Sequence, residues 1–237
     1  VAAGEAVYSS SNATTTIGGE TYGLYKSTND GVSFTEVSLP LTAAGHKHTP
    51  NDLDYDAAGT IFLATTGSHL YTNADDNADG GGIIFSSTNN GASFSQVYEV
   101  PDGERTQIVA SKQNAGKVYV LAETDGGVTI KYTNSSFASV ENKALPNDAD
   151  PGISFRDFTR GQAFYDLTLA LHPTNDDILF AGGIDIFKTT NGASTWSQLS
   201  HWYGGFGAQY VHADQHAVAF APNDPNKVLF GNDGGVF

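Results

Sequence analysis

The sequence predicts an all-β chain built from repeated antiparallel units. Short runs rich in Val, Ile, Tyr, Phe and Thr alternate with clusters of Asn, Asp, Gly and Pro, the pattern of strands joined by tight turns. Helix-favouring stretches are scarce, whereas 27 Gly, 14 Phe and 11 Tyr occur among 237 residues. One turn pattern also recurs along the chain, and a fixed internal repeat is the strongest guide to architecture.

The repeat is carried by "LYKSTNDGVSF", "IIFSSTNNGASF" and "IFKTTNGASTW", which end at Phe34, Phe94 and Trp196. Each has an apolar strand, then Ser or Thr, then Asn two positions on, and closes on a Ser/Thr-aromatic pair. Asn29, Asn89 and Asn191 can fold their side chains onto nearby backbone N–H groups. Gly31 and Gly91 allow φ > 0 at no steric cost. Ala193 replaces this glycine in the third of these segments, with Gly192 just before it, which predicts a different turn there. The aromatic residue is expected to point inward and anchor the hairpin. A further segment, "TIKYTNSSF", ends at Phe137 and reads as a shortened copy.

These segments resemble Asp-boxes, the Ser-x-Asp-x-Gly-x-Thr-Trp turns, or BNR repeats, of β-propellers. The likeness extends to secreted bacterial sortilin-like and glycosyl-hydrolase-type propeller proteins, through "HTPNDLDY", "GQAFYDLTLALHP" and "HADQHAVAF…GNDGGVF". This chain has Asn where the family prefers Asp, and Asn can make the same backbone contacts. The resemblance implies a β-propeller of four-stranded antiparallel blades and an extracellular or bacterial cell-surface location. A strand pair precedes each box, as in "YDLTLALHPTNDDILFAGGI". The final "HAVAFAPNDPNKVLFGNDGGVF" matches that register, setting residues 228–232 against residues 178–182, with "GGVF" opening a third strand. Near the other end, "EAVYSSSN" and "GLYKSTNDG" read as second and third strands. Roughly four to five blades result, against about four to eight in a closed propeller. The expectation is a single, partial propeller domain over residues 1–237, belonging to a longer polypeptide or assembly.

A formal charge of −15, from 26 acidic and 11 basic side chains, argues against nucleic-acid binding, which needs Lys and Arg to neutralise phosphates. It argues equally against attraction to an anionic membrane. No apolar run approaches spanning length, so no membrane insertion is expected. With no Cys in the sequence, disulfides and thiolate metal sites are excluded.

Several stretches are candidates for chemistry. His212, Asp214 and His216 form H-x-D-x-H, and alternate positions of an extended strand share one face. They suit acid/base catalysis or a transition metal, or equally blade-to-blade hydrogen bonds. Trp202, Tyr203, Phe206 and Tyr210 lie in the Gly-rich "HWYGGFGAQYVH", where aromatics can stack on sugars, grip a peptide or pack between blades. Asp75, Asn77 and Asp79 in "DDNADG" have the oxygen-ligand spacing of half a calcium loop, so Ca²⁺ is a candidate cofactor. Position twelve of that motif is Ser86 rather than Glu, and a flexible acidic turn is the alternative. His46 and His48 read as surface residues. Asp52, Asp54, Asp166 and Asp214 are carboxylates placed to reach a channel mouth, where a glycosidase needs two. Arg105, Arg156 and Arg160, the only arginines, lack the dispersion a sialidase needs for its substrate carboxylate. The leading expectation is a binding module for glycan or protein. A glycoside hydrolase of xyloglucanase type and a structural or adhesive repeat array are the alternatives.

Overall fold

The computed structural model describes residues 2–3, 22–74 and 77–237, and every regular element among them is a strand. Strands β1 (Ala2–Ala3), β2 (Gly23–Lys26) and β3 (Thr35–Val37) form the first antiparallel sheet. A four-stranded sheet follows, from β4 (Thr49–Tyr55), β5 (Ile61–Thr66), β6 (Ile83–Ser87) and β7 (Ser95–Glu99). The next is β8 (Gly103–Ala110), β9 (Val118–Thr124), β10 (Gly127–Thr133) and β11 (Glu141–Asn142). The fourth is β12 (Thr168–Leu171), β13 (Leu179–Gly182), β14 (Ile186–Thr189) and β15 (Ser197–Gln198). A short parallel pair, β16 (Ser200–His201) with β17 (Gln209–Tyr210), pins the loop that leads to the last sheet. That sheet is β18 (Gln215–Ala221), β19 (Asp224–Asn232) and β20 (Gly235–Val236). Within each blade the strands pair in chain order, and β1, β4, β8, β12 and β18 lie side by side in succession. The architecture is a β-propeller. The segment "EAVYSSSN" falls outside the described residues.

The interior blades bury both faces, so their central strands are apolar without alternation. In β9, Val118, Val120 and Ala122 pack toward the preceding blade with Phe62 and Ile84. Tyr119 and Leu121, between them, pack toward the following blade with Leu179 and Phe187. Phe62, Tyr119 and Phe180 occupy equivalent onward-facing places, and Phe180 meets Phe220 and Phe230 edge-on at 5.9 and 5.6 Å. The last hairpin departs from the sequence register by one residue. Val228 pairs with Phe220 as Leu179 pairs with Leu171, so Val228 takes the place of Leu179 rather than that of Ile178. A slip of one position exchanges the two faces of a strand. Phe230 consequently packs on the preceding blade, and Leu229 points away from it, 55 % exposed.

Carboxylates clasp neighbouring blades. Asp52 accepts a hydrogen bond from the Ile108 N–H at 2.9 Å and Asp54 from the Ala110 N–H at 2.8 Å. The alternating side chains of β4 thus satisfy the free edge of β8, which would otherwise leave buried donors unpaired. Asp56 bonds the Gly116 N–H at 2.7 Å, and Asp176 accepts from Ser111 at 2.7 Å and Asn114 at 2.7 Å. These residues are structural, which removes Asp52 and Asp54 from the catalytic candidates.

The repeated turns share one hydrogen-bond plan. Ser87 donates to Asn89 Oδ1 at 2.8 Å and accepts from the Gly91 N–H at 2.9 Å. Asn89 Oδ1 accepts from the Ser93 N–H, and its Nδ2 donates to Ser93 Oγ. Ser27–Asn29–Ser33 and Thr189–Asn191–Thr195 repeat this arrangement. Two consecutive residues are left-handed in every copy, among them Asn90 and Gly91 (φ 57° and 69°) and Gly192 and Ala193 (φ 63° and 61°). Ala193 therefore adopts the glycine conformation without changing the turn. The segment at 133–140 is a full copy, not a shortened one. Ser135 stands in the Asn place and bonds Ser139, while Phe137 sits at the glycine position with φ 72°. Stacking of Phe137 on Tyr98 at 5.5 Å and its contact with Phe62 offset that strain. Among the repeat aromatics, Phe94 is buried, but Phe34 is 44 % exposed, so inward anchoring is not uniform.

Asn89→Ala removes three acceptor contacts and a donor from a turn and is expected to cost about 1–3 kcal/mol of stability. Asn89→Asp is expected to be near neutral, since the carboxylate keeps the acceptor and Ser93 Oγ can donate to it. Urea-unfolding midpoints of the two variants test this difference.

Candidate functional site

The topology sorts the loops onto two faces. One carries the repeated turns and the short hairpins at 56–60, 111–117 and 172–178. The opposite face receives the long connections at 38–48, 67–82, 143–167 and 199–214. All the candidate site residues from 202 to 216, together with Asn77 and Asp79, fall on this long-loop face.

Connections 143–167 and 199–214 bring exposed aromatics together there. Trp202, Tyr203, Phe206 and Tyr210 are 43, 55, 59 and 57 % exposed, and Phe155, Phe164 and Tyr165 are exposed on the adjoining connection. Gly204, Gly205 and Gly207 take φ of 76°, 107° and 79°, which lets 202–208 turn tightly between β16 and β17. His201 lies beneath, fully buried, with its ring 4.1 Å from Tyr203 and 5.0 Å from Phe206. Tyr203 Oη donates to Asp150 at 2.5 Å and fastens the two connections to each other.

His212, Asp214 and His216 do not share a strand face. Strand β18 starts at Gln215, and Asp214 just before it is left-handed at φ 66°, which breaks the alternation the motif needs. His212 turns back to its neighbour, with Nδ1 3.1 Å from the Ala213 carbonyl. His216 Nε2 lies 2.8 Å from Asp233 Oδ1, and Tyr165 Oη donates to both Asp233 oxygens at 3.0 Å. The hydrogen bonds from His216 and Tyr165 hold the Asp233 carboxyl below the usual range. Asp233 and Tyr165 escaped the sequence reading because each is remote in sequence from the histidine it meets.

Asp214 instead acts electrostatically on Asp166, the residue that precedes β12 by two positions, whose two carboxyl oxygens make no hydrogen bond among the described residues. Asp166 is fully buried, and its carboxyl is pushed up to about 8, first by burial and then by the charge of Asp214, with Arg105 acting the opposite way. Arg105 itself bridges blades, donating to the carbonyls of Phe164 (3.0 Å), Tyr165 and Leu167. Arg156 lies over the Phe155 ring, and Arg160 pairs with Asp148 and Asp150, so the three arginines have separate roles.

The remainder of this face is acidic. One trough is lined by Asp79, Glu99, Asp102, Glu104 and Asp125, and an adjoining one by Glu104, Glu123, Asp125 and Asp157, with no Lys or Arg among the described residues of either. Burial raises Glu104 to about 7, with Glu123 and Asp125 adding to the shift. Such a surface disfavours anionic ligands. Of the calcium-loop candidates, Asp75 lies outside the described residues. Asn77 takes part in a tight turn through its N–H to Asn73 Oδ1 at 3.1 Å. Asp79 accepts from Thr42 at 2.7 Å and lies 2.8 Å from His46 Nδ1. His46 stacks on Tyr71 at 4.0 Å. His48 is buried against Phe85, and burial lowers its pKa. His48 is thus a core residue rather than the surface residue its polar neighbours suggest.

No family model and no curated protein matches the chain. Solved structures do. The GH74 enzyme of Niastella koreensis superposes with a TM-score of 0.59 at 17 % identity, over 91 % of this chain and 33 % of that one. The GH74 xyloglucanase of Xanthomonas campestris gives 0.57 and 16 %, over 90 % and 33 % of the two chains. YCF48 from Cyanidioschyzon merolae gives 0.56 and 13 %, over 94 % and 63 %. The chain spans about a third of the two GH74 enzymes. At these identities the likeness is one of fold, and it places the chain among β-propellers.

A carboxyl whose folded pKa is raised binds its proton more tightly in the folded state, so stability falls as pH climbs from about 4 to about 8. Asp166→Asn removes that dependence. Its melting temperature is expected to equal the wild type's near pH 4 and to exceed it increasingly up to pH 8, as read by thermal denaturation across pH.

Proposed function

We propose that the chain is a glycan-binding propeller module, with the long-loop face as its binding surface. The aromatic group of Trp202, Tyr203, Phe206 and Tyr210, on a loop pinned by β16 and β17, carries this reading. Flat exposed rings stack on the apolar faces of sugars, and fixing them beforehand lowers the entropy lost on binding. Neighbouring carboxylates and the Tyr203 hydroxyl supply hydrogen bonds to sugar hydroxyls, and the acidic troughs fit a neutral ligand. Placement outside the cell, at a bacterial surface, accords with such a ligand. A protein ligand on the same face is the alternative occupant.

Hydrolysis is a second reading, favoured by one observation. Burial raises the Asp166 carboxyl to about 8, and Asp214 beside it lies nearer the solvent. A buried carboxyl with a raised pKa beside a second, more exposed carboxyl is the electrostatic starting point for acid/base cleavage of a glycosidic bond. His216 and Asp233 form a further polar pair on the same face.

Two of the similar structures are GH74 enzymes, one of them a xyloglucanase, so xyloglucan is the polysaccharide to try first. Titration calorimetry with xyloglucan oligosaccharides is expected to detect binding that Trp202→Ala and Tyr203→Ala each weaken about tenfold or more, equivalent to ~1.4 kcal/mol. Unchanged affinity in both variants, or no binding to any of a panel of neutral polysaccharides, sinks the glycan reading. Release of reducing ends that disappears in Asp214→Asn would establish the hydrolase reading. Binding without such release would leave the module.

A further inference from the structure

Beneath the aromatic loop lies a buried polar cluster that none of the preceding functions uses. Asp148 comes from the 143–167 connection, Asp185 from the β13–β14 turn and His201 from β16. One ligand atom of each lies within 4.8 Å of the others, and all three residues are buried. We propose that Asp148, Asp185 and His201 form a site for a divalent transition-metal ion that clamps the 199–214 connection onto the 143–167 connection.

His201 is the observation that separates this cluster from an ordinary acidic patch. Its exposure is zero, and neither Nδ1 nor Nε2 makes a hydrogen bond among the described residues. The nearest ion-pair contact is Nε2 to Asp150 Oδ1 at 3.3 Å. A neutral imidazole has one donor and one acceptor, and leaving such groups buried and unpaired costs about 1–3 kcal/mol. A metal ion uses the ring lone pair and removes the acceptor's share of that cost, with the other ring nitrogen left as an N–H donor. One imidazole and two carboxylates form a donor set suited to Zn²⁺ or Mn²⁺. The carboxylates are also held from behind, as ligands in metal centres are. Ser200 Oγ donates to Asp185 Oδ1 at 3.3 Å, Gln198 Nε2 to Asp185 Oδ2 at 3.2 Å, and the Asp150 N–H to Asp148 Oδ1 at 2.8 Å.

Arg160 is the rival cation. Its Nε donates to Asp148 Oδ2 at 2.9 Å, and its Nη2 lies 2.8 Å from both Asp148 and Asp150. Nη2 is nevertheless without a well-directed hydrogen bond, and it stands 3.7 Å from Asp185 Oδ2. A single guanidinium thus faces three carboxylates, Asp148, Asp150 and Asp185. Buried charge needs close compensation, and Arg160 compensates Asp185 poorly. A divalent ion between Asp148, Asp185 and His201 supplies the missing charge, with Arg160 kept on Asp150.

The test uses the whole chain, freed of metal with chelator. Co²⁺ uptake is followed by visible absorption, and Zn²⁺ addition by thermal denaturation. Binding of about one equivalent is expected, with a melting temperature that rises with Zn²⁺ concentration as linkage requires. His201→Gln and Asp185→Asn are expected to lower Co²⁺ affinity at least tenfold, and Asp79→Asn to leave it unchanged, which separates this site from the loop at 75–79. Should His201→Gln fail to fold, the near-isosteric Asp148→Asn takes its place. Three results would overturn the proposal: no uptake by folded wild type, uptake undiminished in the cluster variants, or uptake seen only after Arg160→Gln. The last would make the guanidinium the resident cation. Glycan binding plays no part in these readouts, so either proposal can fail alone.

Discussion

Everything in this fold depends on each interior blade burying both of its faces at once. A sheet covered on one side can tolerate polar residues on the other. A blade between two neighbours cannot, and "VYVLA" in β9 is the outcome. Alternate residues of that one strand belong to two different interblade cores. Large onward-facing side chains at Phe62, Tyr119 and Phe180 fill the wedge between successive sheets, where loss of a ring would leave a cavity. The same constraint selects turns that keep the strands in tight register. Hydrogen bonding within the Ser/Thr-x-Asn turns makes each of them largely self-sufficient, so a blade can be repeated with little regard to what surrounds it.

An acidic chain has to place its carboxylates with care, and this one uses them in two ways. Asp52, Asp54, Asp56 and Asp176 face backbone N–H groups or hydroxyls and act as clasps between blades. Their negative charge is balanced by directed donors. Burial raises Asp52 as well, but it pushes Asp166, Asp185 and Glu104 much further, to about 8, about 6 and about 7. These three lie toward the long-loop face. Local rules that hold across the rest of the fold are relaxed there, which is where binding and chemistry are usually found.

Connection length follows from the same division. Short hairpins and repeated turns serve the face where only closure is needed. The 143–167 and 199–214 connections are long, carry the exposed rings and are fastened to each other through Tyr203, Asp150 and Arg160. A platform fixed in this way presents its aromatics with little freedom left to lose. The scaffold supplies rigidity, and the loops supply the surface chemistry.

The sequence by itself determined the strands, the turn plan and the repeat. These are written locally: a Ser or Thr two residues before Asn, an apolar run of five or six, a glycine where φ must be positive. It also placed the aromatic loop at 202–210 by composition. Where a local signal was ambiguous the reading slipped, as at Phe137, whose aromatic ring disguised a glycine position. It slipped again at Val228, where two registers one residue apart present nearly equal apolar patterns. Only the tertiary structure decided which polar groups meet. H-x-D-x-H reads as a unit on paper, but a left-handed Asp214 and a strand that begins at Gln215 send its members to different partners. Asp166 with Asp214, His216 with Asp233, and His201 with Asp148 and Asp185 join residues from separate connections or blades. Pairing across such separations is set by the angle between blades and the path of the loops, and no short stretch of sequence encodes either.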